Sequence, residues 1–412
     1  MMYTHEPIWK AVRAICSALA LLLVALPGCA SAPKEELPPL VFPSEPEEPR
    51  FYFERTVFGT GSVRSPNRQD RLRAAVTGES RFGGSPFAKP FDIAVHQGRV
   101  YVTDTVRRSV TALDFAEGHS FEVGGGGEAG ELHKPLGIAV DRNGTLYVCD
   151  AQLESILIYD RDGNYQRAIG DQDMFDRPSG IDVDPEGKRL FVVDTGGVDS
   201  ENHRVIVLDV ETGEHLHDIG TRGREQGFFN LPRDVALGPD GLIYVTDGGN
   251  FRVQAFTQDG EPVRTWGQPG KYMGQFTRPK GISVDPDGNV YVVDAAFGNF
   301  QIFNPMGELL LFIGSRSTIQ GPAQYMLPAG IAVDEDGRIY VIDQYFRKID
   351  IYRPASVAES EGYLAGAPLL RATGPAEPES AAQAEPEAKD PAEPESAAQA
   401  EPEAKDPAEP ES

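Results

Sequence analysis

Six times along the chain a proline opens a short apolar run that ends, about fifteen residues later, at an aspartate. The pairs are Pro90 and Asp104, Pro135 and Asp150, Pro178 and Asp194, Pro232 and Asp247, Pro279 and Asp294, and Pro328 and Asp343. Successive prolines lie 45, 43, 54, 47 and 49 positions apart. One supersecondary unit therefore repeats, with a period in the range of propeller blades.

Each unit reads as a four-stranded antiparallel meander. In the fourth, DVALGPDGLIYVTD is a strand, a tight turn at Asp240 and Gly241, and a strand in which Ile243 and Val245 alternate with Tyr244 and Thr246. FRVQAF, a turn at Asp259 and Gly260, and PVRTWG complete it. The sixth unit supplies GIAVD, RIYVID and KIDIY and then meets Pro354, so its outer strand is missing. FERTVFG at 53–59 is similar to VRTWG at 263–267, the outer strand of the fourth unit. The expected fold is all-β, a six-bladed β-propeller of four-stranded antiparallel blades whose last blade is completed by an N-terminal strand. Such closure removes the exposed sheet edges of an open array.

The blade pattern, with the triplets NHR at 202–204 and NFR at 250–252, resembles the NHL-repeat six-bladed propellers. The proline-spaced lead VFPSEPEEPRFYFERTV resembles the start of bacterial envelope lipoproteins of that family. The resemblance implies a fold and an envelope location, but no particular activity, since propellers host many functions.

The N-terminus agrees. Lys10 and Arg13 precede an apolar run at 14–26, shorter than the roughly 20 residues that span a bilayer and laid out as a signal peptide. LPGC at 26–29 resembles a lipobox, which implies a signal peptide at 1–28 and acylation of Cys29, although Pro27 departs from the usual small residue. Ala30 after the cysteine, by the same resemblance, points to an outer-membrane lipoprotein facing the periplasm or the surface. The alternative is ordinary cleavage after Ala30, Ser31 and Ala32, which Pro33 opposes. Residues 29–50 form a Pro- and Glu-rich tether, on the order of 60 Å long if extended. The propeller occupies 51–354 and a short segment follows at 355–374. From 375 to 412 PAEPESAAQAEPEAKD occurs twice and begins again, a composition expected to be disordered. With Cys16 in the signal peptide and Cys29 lipidated, Cys149 is alone, and no disulfide framework is expected.

The formal charge is −25, of which the tail carries −10 and residues 51–374 carry −13. That balance argues against a nucleic-acid partner, which needs a basic footprint. The expected partners are the membrane, through the lipid, and an envelope protein or exported ligand.

Repetition sorts the remaining residues. The six aspartates recur in every blade and read as scaffold, accepting backbone N–H groups in the following loop. Symmetry is broken on the loop-rich face, at Arg107, Arg108, His203, Arg204, Phe251, Arg252, Phe297, Tyr345, Phe346 and Arg347. Aromatics and arginines are enriched in interface hot spots; the alternative is packing between blades and pairing with the six aspartates. At the channel mouth Asp92 and Asp234 replace the glycine of the other four blades, where they could converge on a cation or polar ligand, or be neutralised by Arg233 and Lys280. The insertion at 195–203 offers Asp199, Glu201 and His203, which read as solvated rather than as metal ligands. Some NHL propellers are lyases with histidine-bound zinc, but only His133 lies ahead of a blade-opening proline here. No catalytic set, metal or cofactor is expected. The reading is a lipid-anchored binding module, with a metal-dependent hydrolase or lyase at the channel mouth as its rival.

One outcome follows from the N-terminus alone. Cys29→Ser should abolish metabolic labelling with a fatty acid and move the protein from the membrane to the soluble fraction; a variant that stays membrane-bound, beside a wild type that never labels, contradicts lipidation.

Overall fold

The computed structural model describes residues 39–64, 84–127, 129–365 and 367. The signal peptide, Cys29, the first part of the tether, residues 368–374 and the acidic tail lie outside the described residues. Six antiparallel sheets run in chain order around a ring. Blade one consists of Pro90–His96, Arg99–Asp104, Ser109–Asp114 and His119–Val123, from the channel outward, and the next four blades repeat that plan. Among the described residues, no helix is long and apolar enough to cross a membrane.

The sequence marker is a cross-strand pair. In every blade the opening proline of the inner strand faces the terminal aspartate of the second strand, as Pro90 faces Asp104 and Pro328 faces Asp343. Proline has no N–H to give to a ladder, and the register shifts over the following two residues in all six blades. Such a bulge releases the residues one and two places after each proline from pairing and re-aims their side chains. All six aspartates are fully buried. Asp104 accepts the N–H groups of Ala88 and Lys89, just ahead of the proline, and those of Val106 and Arg107 in the loop beyond. Asp150 and Asp294 repeat the pattern. The caps thus reach backward as well as forward, tying the incoming chain to the top of the blade.

Packing between blades uses the second and third strands, whose alternating side chains face the neighbouring sheets. Ile206 and Leu208 of blade three join Cys149 and Ile156 of blade two in one core cluster, while Val205 and Val207 join Val245 and Phe256 of blade four in another. Cys149 is fully buried and free, a small core residue in a position that Thr103 and Thr246 fill elsewhere.

Blade six is completed from the front of the chain. Phe51–Val57 pairs antiparallel with Lys348–Pro354, with Phe53 opposite Tyr352 and Val57 opposite Ile349. Thr56 Oγ1 donates to Asp350 across 294 positions of sequence. Strand structure begins ahead of the tether boundary at residue 50. Val41–Phe42 adds a fifth strand against Phe51 and Tyr52, and the Phe42 ring packs edge-on to Tyr352 at 5.7 Å. The segment after the propeller also docks, since Leu364 and Ala367 are buried in the core cluster shared by blades six and one.

Arg338 fastens these ends. Fully buried, it donates from Nε to Glu54 of the N-terminal strand (3.0 Å), from Nη1 to Asp336 (2.9 Å) and from Nη2 to the carbonyl of Glu361 (2.7 Å). Removing one member of a buried ion pair strands the other, at a cost of roughly 3–5 kcal/mol. Arg338→Met should lower urea stability by about that amount, and adding Glu54→Gln should restore part of it. A change under about 1 kcal/mol in the single variant would show that the closure does not rest on this residue.

Candidate functional site

The loop-rich face divides into side chains held by the scaffold and side chains left over. His203 is fully buried; its ring nitrogens bond the Gly197 carbonyl (3.0 Å) and the Leu231 N–H (3.3 Å), so it packs beneath the insertion instead of facing solvent. Arg204 bonds Asp218 at 2.6 Å and the Met174 carbonyl at 3.1 Å, with Asp194 at 3.5 Å. Arg252 donates to Asp247 (2.8 Å) and to the carbonyls of Glu225 and Phe228. Arg107 bonds Glu122 and the Pro86 carbonyl. Phe251 packs into the core cluster between blades four and five, and Phe297 is half-buried. Arg108, Tyr345 and Arg347 are exposed, with Tyr345 edge-on to half-buried Phe346 at 5.1 Å.

Arg108 and Arg347 sit four places after a capping aspartate with φ of +57° and +55°, the left-handed region, as do Glu154 (+51°) in blade two and Phe251 (+58°) in blade four. Blade five has Gly298 at the matching place, with φ +67°. A non-glycine residue there costs roughly 1–2 kcal/mol, and four of the six blades bear that cost, so the conformation belongs to the repeat while the exposed arginine side chains are particular to blades one and six.

The channel mouth is built by the bulges. Two places after the proline, Asp92 accepts the Ile138 N–H of the next blade at 3.2 Å, and Asp234 accepts the Ile282 N–H at 3.0 Å. Lower down, Asp182 accepts the Leu237 N–H at 2.7 Å. These carboxylates stitch adjoining inner strands, and the glycines beside them make the approach possible. A Cβ on Gly330 would lie 2.6 Å from the Asp92 carboxylate, and one on Gly180 would lie 2.5 Å from that of Asp234. Burial pushes Asp92 up to about 7 and Asp182 up to about 6. Asp234 is also raised, by burial and then by the charge of Asp92. Arg233 and Lys280 do not neutralise them, since neither is within ion-pairing distance of a carboxylate among the described residues. Burial, followed by the charges of Arg278 and Arg233, drives Lys280 down to about 8.

The metal candidates of the insertion do not assemble, because His203 is spent on backbone groups. Asp114, Glu117 and His119 do lie within 4.8 Å of one another, in an outer turn on the opposite face. Asp114 is already bound there by Arg99 at 2.7 Å. A cavity of about 420 Å³, lined by Asp285, Tyr291, Leu310 and Gly337 among others, likewise lies on that face, between blades five and six.

The raised carboxylates give a signed pH dependence. An acid near 3.8 in the unfolded chain and near 7 when folded adds most to stability below its unfolded value and loses that contribution as pH rises through 7. Asp92→Asn should therefore flatten the decline in stability between pH 4 and 7. An unaltered pH profile by thermal unfolding would show that Asp92 titrates normally.

Comparison with known proteins places this geometry. The NHL repeat matches residues 229–256 and 276–303, in blades four and five. NHL repeat-containing protein 3 of Mus musculus is 34% identical over 86 residues, which is 21% of this chain and 24% of that protein. The chain thus spans about a quarter of that curated relative. A protein of unknown function from Bacteroides thetaiotaomicron superposes with a TM-score of 0.55 at 17% identity, over 73% of this chain and 76% of that one. A gluconolactonase from Xanthomonas campestris gives a TM-score of 0.50 at 17% identity, over 65% of this chain and 86% of that one. Both structural likenesses are of fold. With the same register and bulge in every blade, the chain is a six-bladed β-propeller that carries NHL repeats in blades four and five.

Proposed function

We propose that this protein is a lipid-anchored propeller of the bacterial envelope, held at the outer membrane by Cys29, that binds another envelope protein or an exported ligand through its loop-rich face. The observation that carries the reading is the pair of exposed arginines, Arg108 and Arg347, held in left-handed backbone with no hydrogen bond or ion pair from either side chain to the described residues. The left-handed backbone recurs at Glu154 and Phe251 and so belongs to the blade; what is particular to these two sites is an exposed guanidinium with no partner among the described residues, a residue type enriched in interface hot spots. Exposed Tyr345 and half-buried Phe346 beside Arg347 supply the aromatic component typical of interface hot spots. The carboxylates that could have drawn these arginines into the scaffold already hold other donors, which leaves both guanidiniums for a partner.

The rival reading is a hydrolase or lyase at the channel mouth. It draws on Lys280 near 8 and Asp92 near 7, values suited to proton transfer at neutral pH. Each of those groups also has a plain role, Asp92 as a cross-blade acceptor and Lys280 as one of several neighbouring cations. The likeness to a gluconolactonase is of fold and adds no substrate.

The strained positions allow a test that separates binding from folding. Arg108→Gly with Arg347→Gly should leave thermal stability equal or higher, because glycine relieves the left-handed strain. The same variant should capture envelope partners at least tenfold more weakly than wild type. Asn143→Ala, on the opposite face, should change neither. Undiminished capture by the stable double variant would remove the loop-rich face from the mechanism.

A further inference from the structure

We propose that the channel mouth is an anion-binding site, taking a carboxylate or phosphate group of a ligand onto a ring of lysine and arginine side chains centred on Arg233, Arg278 and Lys280. This deepens the binding reading of the loop-rich face and rests on it.

The ring follows from the register. The residue before each blade-opening proline is Lys89, Lys134, Arg177 and Arg278 in blades one, two, three and five. The residue after it, first in the bulge, is Arg233 in blade four and Lys280 in blade five. Inner strands surround the channel, so these positions meet at one mouth. Crowding at the mouth partly desolvates Arg233, and the charges of Arg177 and Arg278 then depress its guanidinium further, although the residue as a whole is exposed. Arg278, Arg233 and Lys89 act in the same way on Lys280.

What distinguishes this cluster from an ordinary charged surface is that none of its side chains has a direct ion-pair partner among the described residues. None of the six side chains makes a hydrogen bond or ion pair among the described residues, although the chain carries −25 overall. The nearest carboxylates are engaged elsewhere. Asp104, Asp150, Asp194 and Asp294 accept the backbone N–H groups of these same residues, Lys89, Lys134, Arg177 and Arg278. Asp92 and Asp234 below accept N–H groups of neighbouring blades. Lys280 is half-buried, and burial with the neighbouring cations outweighs the support its ammonium receives from the charge of Asp343. An anion at the mouth would relieve the mutual repulsion and receive several charge-assisted hydrogen bonds, the guanidiniums offering forked donors suited to carboxylate or phosphate. Arg108 and Arg347 lie on the same face, farther from the axis, where the rest of a larger ligand would rest.

The test uses the whole protein with inorganic phosphate and, separately, citrate, at low ionic strength, since salt screens exposed charges beyond about 10 Å at 0.1 M. Calorimetry should show saturable binding of at least one anion, and which of the two binds separates a phosphate from a carboxylate ligand. Arg233→Gln with Arg278→Gln should weaken it at least tenfold, roughly the loss of a single charge-assisted bond. Arg142→Gln on the opposite face should have no effect. Lysine NMR on the wild type gives a readout that needs no variant: the Lys280 titration, near pH 8 alone, should move upward when the anion binds. Absence of saturable heat with both anions, or a Lys280 titration that does not move, would overturn the proposal. Failure here with capture still lost in the glycine variant leaves the partner-binding reading standing. Anion binding with undiminished capture would do the reverse.

Discussion

Every blade depends on one interaction, a buried carboxylate accepting backbone N–H groups of the incoming chain, and in blades one, two, five and six also those of the loop beyond. An unpaired buried N–H costs roughly 1–3 kcal/mol, and the tight loops at the top of a propeller have no strand to satisfy theirs. Asp104 bonds the chain that arrives and the loop that departs; Asp150, Asp294 and Asp343 do the same, while Asp247 holds the departing side through the side chains of Asn250 and Arg252. Proline opposite the aspartate removes a donor that the bulge could not have paired. The two residue types are thus halves of one device, which explains why they keep register when the blade length between them and the next repeat varies.

That device also determines what the channel can present. Because the bulge follows the proline, the next two side chains leave the ladder and turn toward the axis. Where the second is glycine the inner strands close up; where it is Asp92 or Asp234 the carboxylate reaches the next strand's backbone and loses its water. The first of the two positions, together with the residue before the proline, rims the mouth. Acid below and base above therefore come from adjacent positions of one motif, kept apart because the acids are occupied by N–H groups.

The fold was legible because its signals are local and repeated. The Pro and Asp spacing, the turn glycines and the likeness of 53–59 to an outer strand each needed only neighbouring residues. Contacts between distant segments were not legible. Val41–Phe42 is too short to show a period, and nothing around Arg338 announces that Glu54 and Glu361 meet it. His203 sits in a polar insertion that reads as solvated, yet Gly197 and Leu231 fold over it. Arg204 and Arg252 carry an interface residue type, and the carboxylates that claim them come from positions only the register identifies. Arg233 and Lys280 were visible as cations beside acids; that four further cations share their mouth follows only from the placement of strands.

The shared last blade has a consequence for the order in which the molecule can be made. Phe51–Val57 is among the first parts of the propeller to be synthesised and Lys348–Pro354 the last, and the two are hydrogen-bonded neighbours. Until the second exists, blades one to five are an arc with two raw flanks, and Glu54 lacks the second arginine, Arg338, that the finished blade brings to it. The ring is therefore a property of the finished chain alone. A truncated product cannot imitate it, and a full-length one acquires its central mouth, with all six sectors facing inward, in a single late step.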